Sequence, residues 1–227
     1  MRILALNASP RRWDGNTHRL LEPFLRAARE SGAEVRRYYV RDLEIAPCAG
    51  CRACGASDGC RLDDDMTWLL EEVRDCDVLV LGFPLYMGGT PGPLKTVVDR
   101  LRPLANSVGG PEYRGPFGLV MASVGGLSSV RGFDPCVAWF GGLCESLGAE
   151  FAGKLLRPQV HAWAALAPWS SRAACIVEAL EDAGRELVET GAISPESEAI
   201  IAGPIADETG LPIGVPVIDR RLVRAMA

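Results

Sequence analysis

The sequence predicts an α/β protein built on a doubly wound parallel sheet. Three short stretches, residues 2–6, 77–81 and 117–123, are continuously hydrophobic, which is typical of parallel strands that are buried on both faces. Between them lie segments whose apolar residues repeat at helical spacing. Such an alternation of strand and helix predicts parallel strands that are joined by right-handed crossover helices.

Two more stretches are expected to complete the sheet. Residues 34–40 are rich in aromatic and β-branched side chains, but Arg36 and Arg37 lie among them, which favours a strand near the sheet edge. Residues 151–156 leave room for a last strand. Five strands are therefore expected.

Five helices are expected from the spacing of apolar residues, over residues 20–28, 68–73, 94–101, 136–147 and 173–188. Asn16 and Thr17 are the expected N-cap of the first helix, and Gly32 follows as its stop. Pro23 should either kink this helix or mark its first turn.

Three consecutive aspartates, Asp63, Asp64 and Asp65, precede the second helix. They are either a metal site or a helix start, and the helix start is the better interpretation. Asp65 is then the N-cap, and the other two add favourable negative charge at the positive end of the helix.

The chain is expected to form one domain over residues 1–191 with a C-terminal extension over residues 192–227. In the extension, Ser194 followed by Pro195 and Glu196 is typical of a helix start. The rest of the extension is too apolar to remain free in solvent. We expect it to pack on its own domain or on a neighbouring subunit.

Composition and charge exclude several classes of function. The 227 residues carry 24 Lys and Arg against 29 Asp and Glu, a formal charge of -5, so no electrostatic attraction to nucleic acid or to an anionic membrane is expected. Glycine and proline interrupt the uncharged stretches, which excludes a spanning helix there. The N-terminus has no apolar segment typical of a signal peptide. A cytoplasmic protein is therefore expected.

Three loops at the carboxyl ends of the strands are the place where a ligand is expected. The first loop, residues 7–17, joins a strand to a helix N-terminus and contains hydroxyl, amide and guanidinium groups that suit one phosphate. Taken alone, it is equally well an ordinary capped turn. The second loop, residues 82–91, and the third loop, residues 123–128, bring glycine, an aromatic and a thioether to the same edge and suit a flat ring.

The motifs in these loops resemble a known family. SPRRWDGNT after the first strand, PLYMGGTPGPLKTVVDR after the third and SVGG after the fourth resemble the flavodoxin-like FMN-dependent reductases. The run APCAGCRACGASDGCRLDDDM resembles the iron-sulfur flavoproteins of that family, which bind FMN and a 4Fe-4S cluster. The resemblance covers about residues 1 to 130 and implies strand order 2-1-3-4-5.

The resemblance also implies site residues for FMN. Its phosphate would be held by Ser9, Arg11, Asn16 and Thr17. Its ribityl chain and isoalloxazine ring would be lined by Pro84, Leu85, Tyr86, Met87 and Gly88. The FMN site would be closed on its other side by Ser123, Gly125 and Gly126.

Four of the eight cysteines lie in the cysteine loop, residues 46–60, with the spacing C-x2-C-x2-C-x5-C: Cys48, Cys51, Cys54 and Cys60. Three cysteines at intervals of three can surround one face of an iron-sulfur cluster, and a fourth can complete its ligands. Structural zinc usually prefers two C-x2-C pairs with a longer insert. Spacing therefore favours iron-sulfur over zinc, and redox-active thiols remain an alternative. The other four, Cys76, Cys136, Cys144 and Cys175, lie in apolar segments and are expected in the core.

The expected function is a redox flavoprotein that transfers electrons between a 4Fe-4S cluster and FMN, without a side chain as general base. The resemblance implies ferredoxin or a similar donor, and with the apolar extension it suggests a homodimer or homotetramer. One alternative is an NAD(P)H-dependent FMN or quinone reductase without a cluster. The other is a zinc-bearing binding protein of the same fold.

Overall fold

The computed structural model describes residues 1–55, 60–105, 117–166 and 170–206, and a five-stranded sheet runs through it. The strands are β1 (Arg2–Asn7), β2 (Glu34–Tyr39), β3 (Val78–Pro84), β4 (Gly118–Val124) and β5 (Glu150–Arg157). Their order is β2-β1-β3-β4-β5, and every neighbouring pair is parallel. The expected sheet and its strand order are confirmed.

Seven α-helices lie within the described ranges: α1 (Asn16–Glu30), α2 (Met66–Asp75), α3 (Gly92–Arg100), α4 (Asp134–Leu147), α5 (Val160–Leu166), α6 (Ser171–Thr190) and α7 (Pro195–Ala202). The five expected helices are confirmed, and α7 begins as expected, with the Ser194 hydroxyl accepting a hydrogen bond from the Ser197 amide at 3.1 Å. Helix α5 was not expected.

Two details of the first helix differ from expectation. Its N-cap is Gly15, which has no side chain, so Asn16 and Thr17 are the first helical residues instead of the cap. Pro23 lies well inside α1, so it does not mark the first turn. Because the side chains of Asn16 and Thr17 are not used as caps, they remain at the helix N-terminus, where a ligand can meet them.

Alternate residues of the buried strands pack on opposite faces of the sheet. Ile3, Ala5 and Val80 contribute to one core with α1 and α6, whereas Leu4 and Leu79 contribute to the other with α2, α3 and α4. The pairing of α1 with α6 is close, because a Cβ added at Gly184 would collide with the carbonyl oxygen of Phe24. This two-sided burial explains the continuously hydrophobic strands.

The described part of the expected extension packs on the end of the sheet. The Arg157 guanidinium, fully buried at the end of β5, donates to the carbonyl oxygens of Ile201 and Gly203 at 2.5 and 2.7 Å. Glu186 of α6 accepts from the amide and hydroxyl of Ser194, both at 2.9 Å. Residues 207–227, most of the extension, lie outside the described residues.

Of the helices in the described ranges, none combines the length and the hydropathy needed to cross a lipid bilayer. Trp163 on α5 is buried, with 3% of its surface exposed.

Candidate functional site

The first loop is shaped by hydrogen bonds from its own side chains. Asn7, fully buried at the end of β1, accepts from the Ser9 amide at 2.9 Å, and the Ser9 hydroxyl accepts from the Arg11 amide at 3.3 Å. A Cβ at Gly15 would collide with the Ser9 oxygen, so only glycine permits this close approach. The loop therefore turns tightly and delivers the chain to the N-terminus of α1, where the first amides have no helical acceptor.

Three buried polar atoms at this edge of the sheet have no hydrogen-bond partner among the described residues. They are Nδ2 of Asn7, Oγ1 of Thr17 and Oγ of Ser123. Each residue is fully buried, and Asn7 and Ser123 stand near the carboxyl ends of β1 and β4. Because buried polar groups are normally paired, unpaired ones on neighbouring loops indicate a place where a polar ligand binds.

The two arginines of the first loop differ in whether their guanidinium groups are free to bind an anion. Arg12 adopts a positive φ of 51° and forms an ion pair with Asp42. Arg11 is exposed, at the edge where the unpaired atoms lie. Arg11 is therefore the better placed of the two to reach an anion in the loop.

Aromatic side chains border the first loop. Trp13 is 58% exposed and packs edge-on against Tyr39, with 6.3 Å between the ring centroids. The Tyr39 hydroxyl lies 3.1 Å from Nδ1 of His18. Burial, followed by the positive charge of Arg37, lowers the pKa of His18, which favours the neutral form of the ring.

The second loop forms a strained turn that projects two side chains. Tyr86 and Gly89 exchange two backbone hydrogen bonds of 3.0 and 2.9 Å, and between them Met87 and Gly88 have positive φ values of 50° and 75°. Such φ values suit glycine, and a non-glycine residue there is strained, a condition found mostly at functional sites. Tyr86 is 51% exposed, and Met87 is fully exposed. The remaining predicted ring contacts, Pro84 and Leu85, are buried and half-buried.

The third loop is fixed by the chain that follows β5. The Gly125 amide donates to the Arg157 carbonyl at 3.0 Å, and the Gly125 carbonyl accepts from Val160 at 3.1 Å. A Cβ at Gly125 would lie 3.1 Å from the Phe133 ring, so a side chain here would be crowded. Gly126 is exposed next to His161. Helix α5 thus supports this loop.

The cysteine loop borders a cavity of about 1140 Å³ that it shares with α3 and α4. Cys48 and Cys51 are exposed, whereas Cys54 and Cys60 are half-buried, and all four thiols line the cavity. In the ranges that the structure describes, no three Cys, His, Asp or Glu side chains are gathered closely enough to hold one metal ion. None of the described lining residues belongs to the first, second or third loop.

The aspartates next to the cysteine loop have roles different from those expected. Asp65 occupies the N-cap position of α2, but its carboxylate caps no helix amide; it accepts from the Glu44 amide at 2.7 Å and from the Trp68 indole at 3.0 Å. Asp64 accepts from the Met66 amide at 3.0 Å and is paired with Arg100, so it is more than a favourable charge at the helix end. The Arg100 hydrogen bond holds the pKa of Asp64 below its ordinary value.

Three of the four other cysteines are buried, as expected, and Cys175 is exposed. Burial raises the pKa of Cys76 to about 12 and that of Cys144 to about 11. The Cys136 thiol lies 3.6 Å from the Gly88 carbonyl oxygen, so α4 contacts the strained turn.

Two residues of this region were not singled out from the sequence. Asn7 follows a continuously hydrophobic run, and an asparagine at the end of that run was the only signal in the sequence. The structure shows that it is fully buried. Arg100 is fully buried at the end of α3, on the helix face that also buries Leu94 and Val97, and its helical spacing from Val97 was the corresponding signal in the sequence.

The chain is similar in sequence to a known family of flavin reductases. Residues 1–134 match the family described as NADPH-dependent FMN reductase. An iron-sulfur flavoprotein of Methanocaldococcus jannaschii is 36% identical over 116 residues, which are 48% of this chain and 60% of that protein. An iron-sulfur flavoprotein of Methanosarcina thermophila is 36% identical over 100 residues, 44% of this chain and 52% of that protein. These matches span between about half and three fifths of the relatives' length.

A solved structure resembles the chain over a longer stretch. An FMN-dependent NADH-azoreductase from Bacillus anthracis, solved in complex with FMN, superposes with a TM-score of 0.64 at 13% identity. The superposition covers 83% of this chain and 100% of that one. At this identity the likeness shows the fold alone.

Proposed function

Since the chain belongs to the NADPH-dependent FMN reductase family, we propose that it is an FMN-dependent oxidoreductase of the iron-sulfur flavoprotein type. FMN would bind at the carboxyl edge of the sheet, and a 4Fe-4S cluster would bind in the cysteine loop. When both are bound, the flavin exchanges two electrons and the cluster exchanges one at a time, so together they couple two-electron transfer to one-electron transfer. The protein accepts electrons from ferredoxin or a similar carrier.

The observation that carries the FMN proposal is the set of unpaired buried polar atoms. Oγ1 of Thr17 lies in the first turn of α1, where helix amides and the positive helix end favour a phosphate. Ser9, Arg11 and Asn16 complete the predicted phosphate residues, and the exposed guanidinium of Arg11 supplies charge. These groups suit a phosphate because each is a donor and the loop is already folded around them.

The second and third loops would hold the flavin ring. The turn at Met87 and Gly88 projects the neighbouring aromatic and thioether side chains into solvent, where a flat ring can cover them. Pro84 and Leu85 lie behind the turn. On the other side, Ser123, Gly125 and Gly126 would close the site, and the unpaired Ser123 hydroxyl offers a hydrogen bond.

The donor set of the cysteine loop suits an iron-sulfur cluster. Cys48, Cys51, Cys54 and Cys60 supply four thiols that line one cavity, and thiolates are the ligands that such clusters use. Positive φ values at Gly50 and Arg52, on either side of Cys51, allow successive turns of the kind found around iron-sulfur sites. Metal binding would gather the four thiols, because metal sites commonly form together with the fold around them.

A second candidate follows from the matched family, whose name includes NADPH. In this alternative the chain is an NAD(P)H-dependent FMN or quinone reductase without a cluster, and Tyr86 and the third loop form the pocket for nicotinamide and substrate in turn. A homodimer or homotetramer is proposed in both cases, and the location is proposed to be cytoplasmic.

One experiment separates these candidates. The protein is purified without oxygen, its visible spectrum is recorded, and FMN, iron, zinc and acid-labile sulfide are assayed. About four irons and four sulfides per chain with one FMN are expected for the main proposal. FMN without iron would favour the reductase without a cluster, and zinc without FMN would contradict both.

A matched pair of variants tests the ligand assignment. Cys51→Ala should remove the cluster absorption and leave FMN bound, whereas Cys175→Ala, which removes an exposed thiol on α6, should leave both unchanged. Anaerobic mixing with reduced ferredoxin or with NADPH then shows which donor bleaches the flavin absorbance faster.

A further inference from the structure

A buried arginine closes the loop that carries the four cysteines. Arg100 is the last residue of α3, and only 1% of its surface is exposed. Its two terminal nitrogens donate to the two carboxylate oxygens of Asp64 at 2.7 and 2.8 Å, and one of them also donates to the carbonyl oxygen of Ala46 at 2.8 Å. The guanidinium therefore contacts both ends of residues 46–64, which contain every cysteine of the cysteine loop.

Asp64 strengthens the same closure. Its carboxylate accepts from the Ala46 amide at 2.9 Å, so Ala46 is held through both its amide and its carbonyl group. One step further out, Glu44 and Asp65 exchange two hydrogen bonds of 2.7 and 3.1 Å. The two ends of the loop are thus joined before any metal binds, and the conformational entropy of joining them is already lost.

The same guanidinium reaches one of the proposed ligands. Cys60 lines the same cavity as Leu101, the residue that follows Arg100, and its side chain interacts electrostatically with the guanidinium. Its Nε is buried and has no acceptor within the described ranges. A buried ion pair is often no more stabilising than well-packed apolar residues, so stability alone does not account for this one. What an apolar pair cannot supply is a fixed set of donors and a permanent positive charge beside Cys60.

We propose that Arg100 is a positioning residue for the metal centre of the cysteine loop: it joins the two ends of the loop and holds a positive charge beside the Cys60 sulfur. This inference rests on the proposed cluster. The charge stabilises the more negative, reduced state of the centre and so raises its reduction potential. The joined ends make the loop resistant to opening.

The test compares Arg100→Met and Arg100→Lys with Lys95→Met. Lys95 lies on the same helix and lines the same cavity, but it is exposed and paired with Asp99, so its variant removes a charge without freeing the loop. Four quantities are measured: iron and sulfide per chain after anaerobic reconstitution, FMN content, the midpoint potential of the cluster followed by electron paramagnetic resonance, and the rate of tryptic cleavage at Arg52 and Arg61 in metal-free protein.

Arg100→Met should speed tryptic cleavage of the metal-free loop by at least about tenfold, because breaking a buried pair strongly favours local opening. It should also lower the iron content and the midpoint potential while FMN remains bound. Arg100→Lys keeps the positive charge but loses the paired guanidinium donors that contact both ends of the loop. Its midpoint potential should therefore equal that of the unmodified protein, while tryptic cleavage remains fast. Lys95→Met should behave as the unmodified protein does.

Two results would overturn the proposal: unchanged cleavage in Arg100→Met, or fast cleavage with unchanged iron content and potential, which would make the ion pair structural only. If Arg100→Met does not fold, Asp64→Asn tests the joining of the loop ends with the Arg100 charge kept: it should speed cleavage and lower the iron content without lowering the midpoint potential, and unchanged cleavage in this variant would overturn the proposal. Absence of iron in the unmodified protein would instead contradict the proposed function, and cleavage of the metal-free chain would still decide whether Arg100 closes the loop.

Discussion

Replacing Thr17 by valine should raise the stability of the flavin-free protein and weaken FMN binding. Thr17 is fully buried, and its hydroxyl has no partner among the described residues. An unpaired buried hydroxyl costs roughly 1–3 kcal/mol, so its removal should increase the free energy of unfolding by up to about that amount. Each kcal/mol corresponds to a rise in Tm of about 2–4 °C for a chain of this size.

The effect on binding has the opposite sign. If the hydroxyl donates to the FMN phosphate, its loss removes a hydrogen bond to a charged group, which contributes about 1.5–3 kcal/mol. The Kd for FMN should then rise about 10- to 150-fold. Thermal unfolding of the flavin-free protein and titration of flavin fluorescence measure the two quantities.

Thr67→Val is the matched control. Thr67 occupies the same second position in α2 that Thr17 occupies in α1, but it is exposed and belongs to none of the three loops proposed to bind FMN. Its variant should change the free energy of unfolding by less than about 0.5 kcal/mol and leave the Kd unchanged. An unchanged Kd in Thr17→Val, or a flavin-free variant less stable than the unmodified protein, would refute the assignment of Thr17 to the phosphate.

Three further predictions concern stability, pH and thiol reactivity. Gly184→Ala should lower the free energy of unfolding by about 1–3 kcal/mol, because the added Cβ would collide with the Phe24 carbonyl oxygen. In the control Gly141→Ala the added Cβ has nothing within 4 Å, so the free energy of unfolding should rise by up to about 1 kcal/mol. Equal shifts of the two variants in urea titrations would contradict this prediction. The pKa of Asp64 is lowered chiefly by Arg100, so its contribution to stability is present above its ordinary value of 3.8 and is lost as the pH falls through the lowered pKa. The free energy of unfolding of Asp64→Asn should therefore fall less steeply with decreasing pH below about pH 4 than that of the unmodified protein. An equally steep fall would count against the pairing of Asp64 with Arg100. Because the pKa values of Cys76 and Cys144 are raised to about 12 and about 11, iodoacetamide at about pH 8 should label exposed Cys175 long before either of them, as mass spectrometry of tryptic peptides can check; early labelling of Cys76 would show that it is not buried.

The strands could be predicted from the sequence because burial on both faces leaves a strong local signal. Each expected strand agrees with the observed one to within a few residues, and the loops at the carboxyl edge follow from that assignment. Helix α5 was missed because it is short and follows Pro158 and Gln159, the latter with a φ of 49°. Its contribution, the support of the third loop, depends on contacts that no local pattern records.

The roles of Asp64 and Asp65 could not be assigned from the sequence for a related reason. Neighbouring aspartates before a helix have the same local propensity for the N-cap. The choice between them is made by Arg100, which is 36 positions away in the chain, and by the hydrogen bonds of Ala46 and Glu44. Long-range partners of this kind decide the geometry of the cysteine loop, whereas the cysteine spacing alone suggested its chemistry.

Helix α3 connects the two halves of the candidate site, the second loop on the FMN side and the cysteine loop on the cluster side, and it sets the distance between them. It begins immediately after the second loop and ends at Arg100, so its nine residues span about 13 Å between the strained turn and the cysteine loop. Deleting one residue would shorten this spacing by about 1.5 Å and rotate Arg100 by about 100° away from Asp64. We therefore expect the length of α3 to tolerate far less variation than its exposed surface, because a single insertion or deletion would misalign both halves at once.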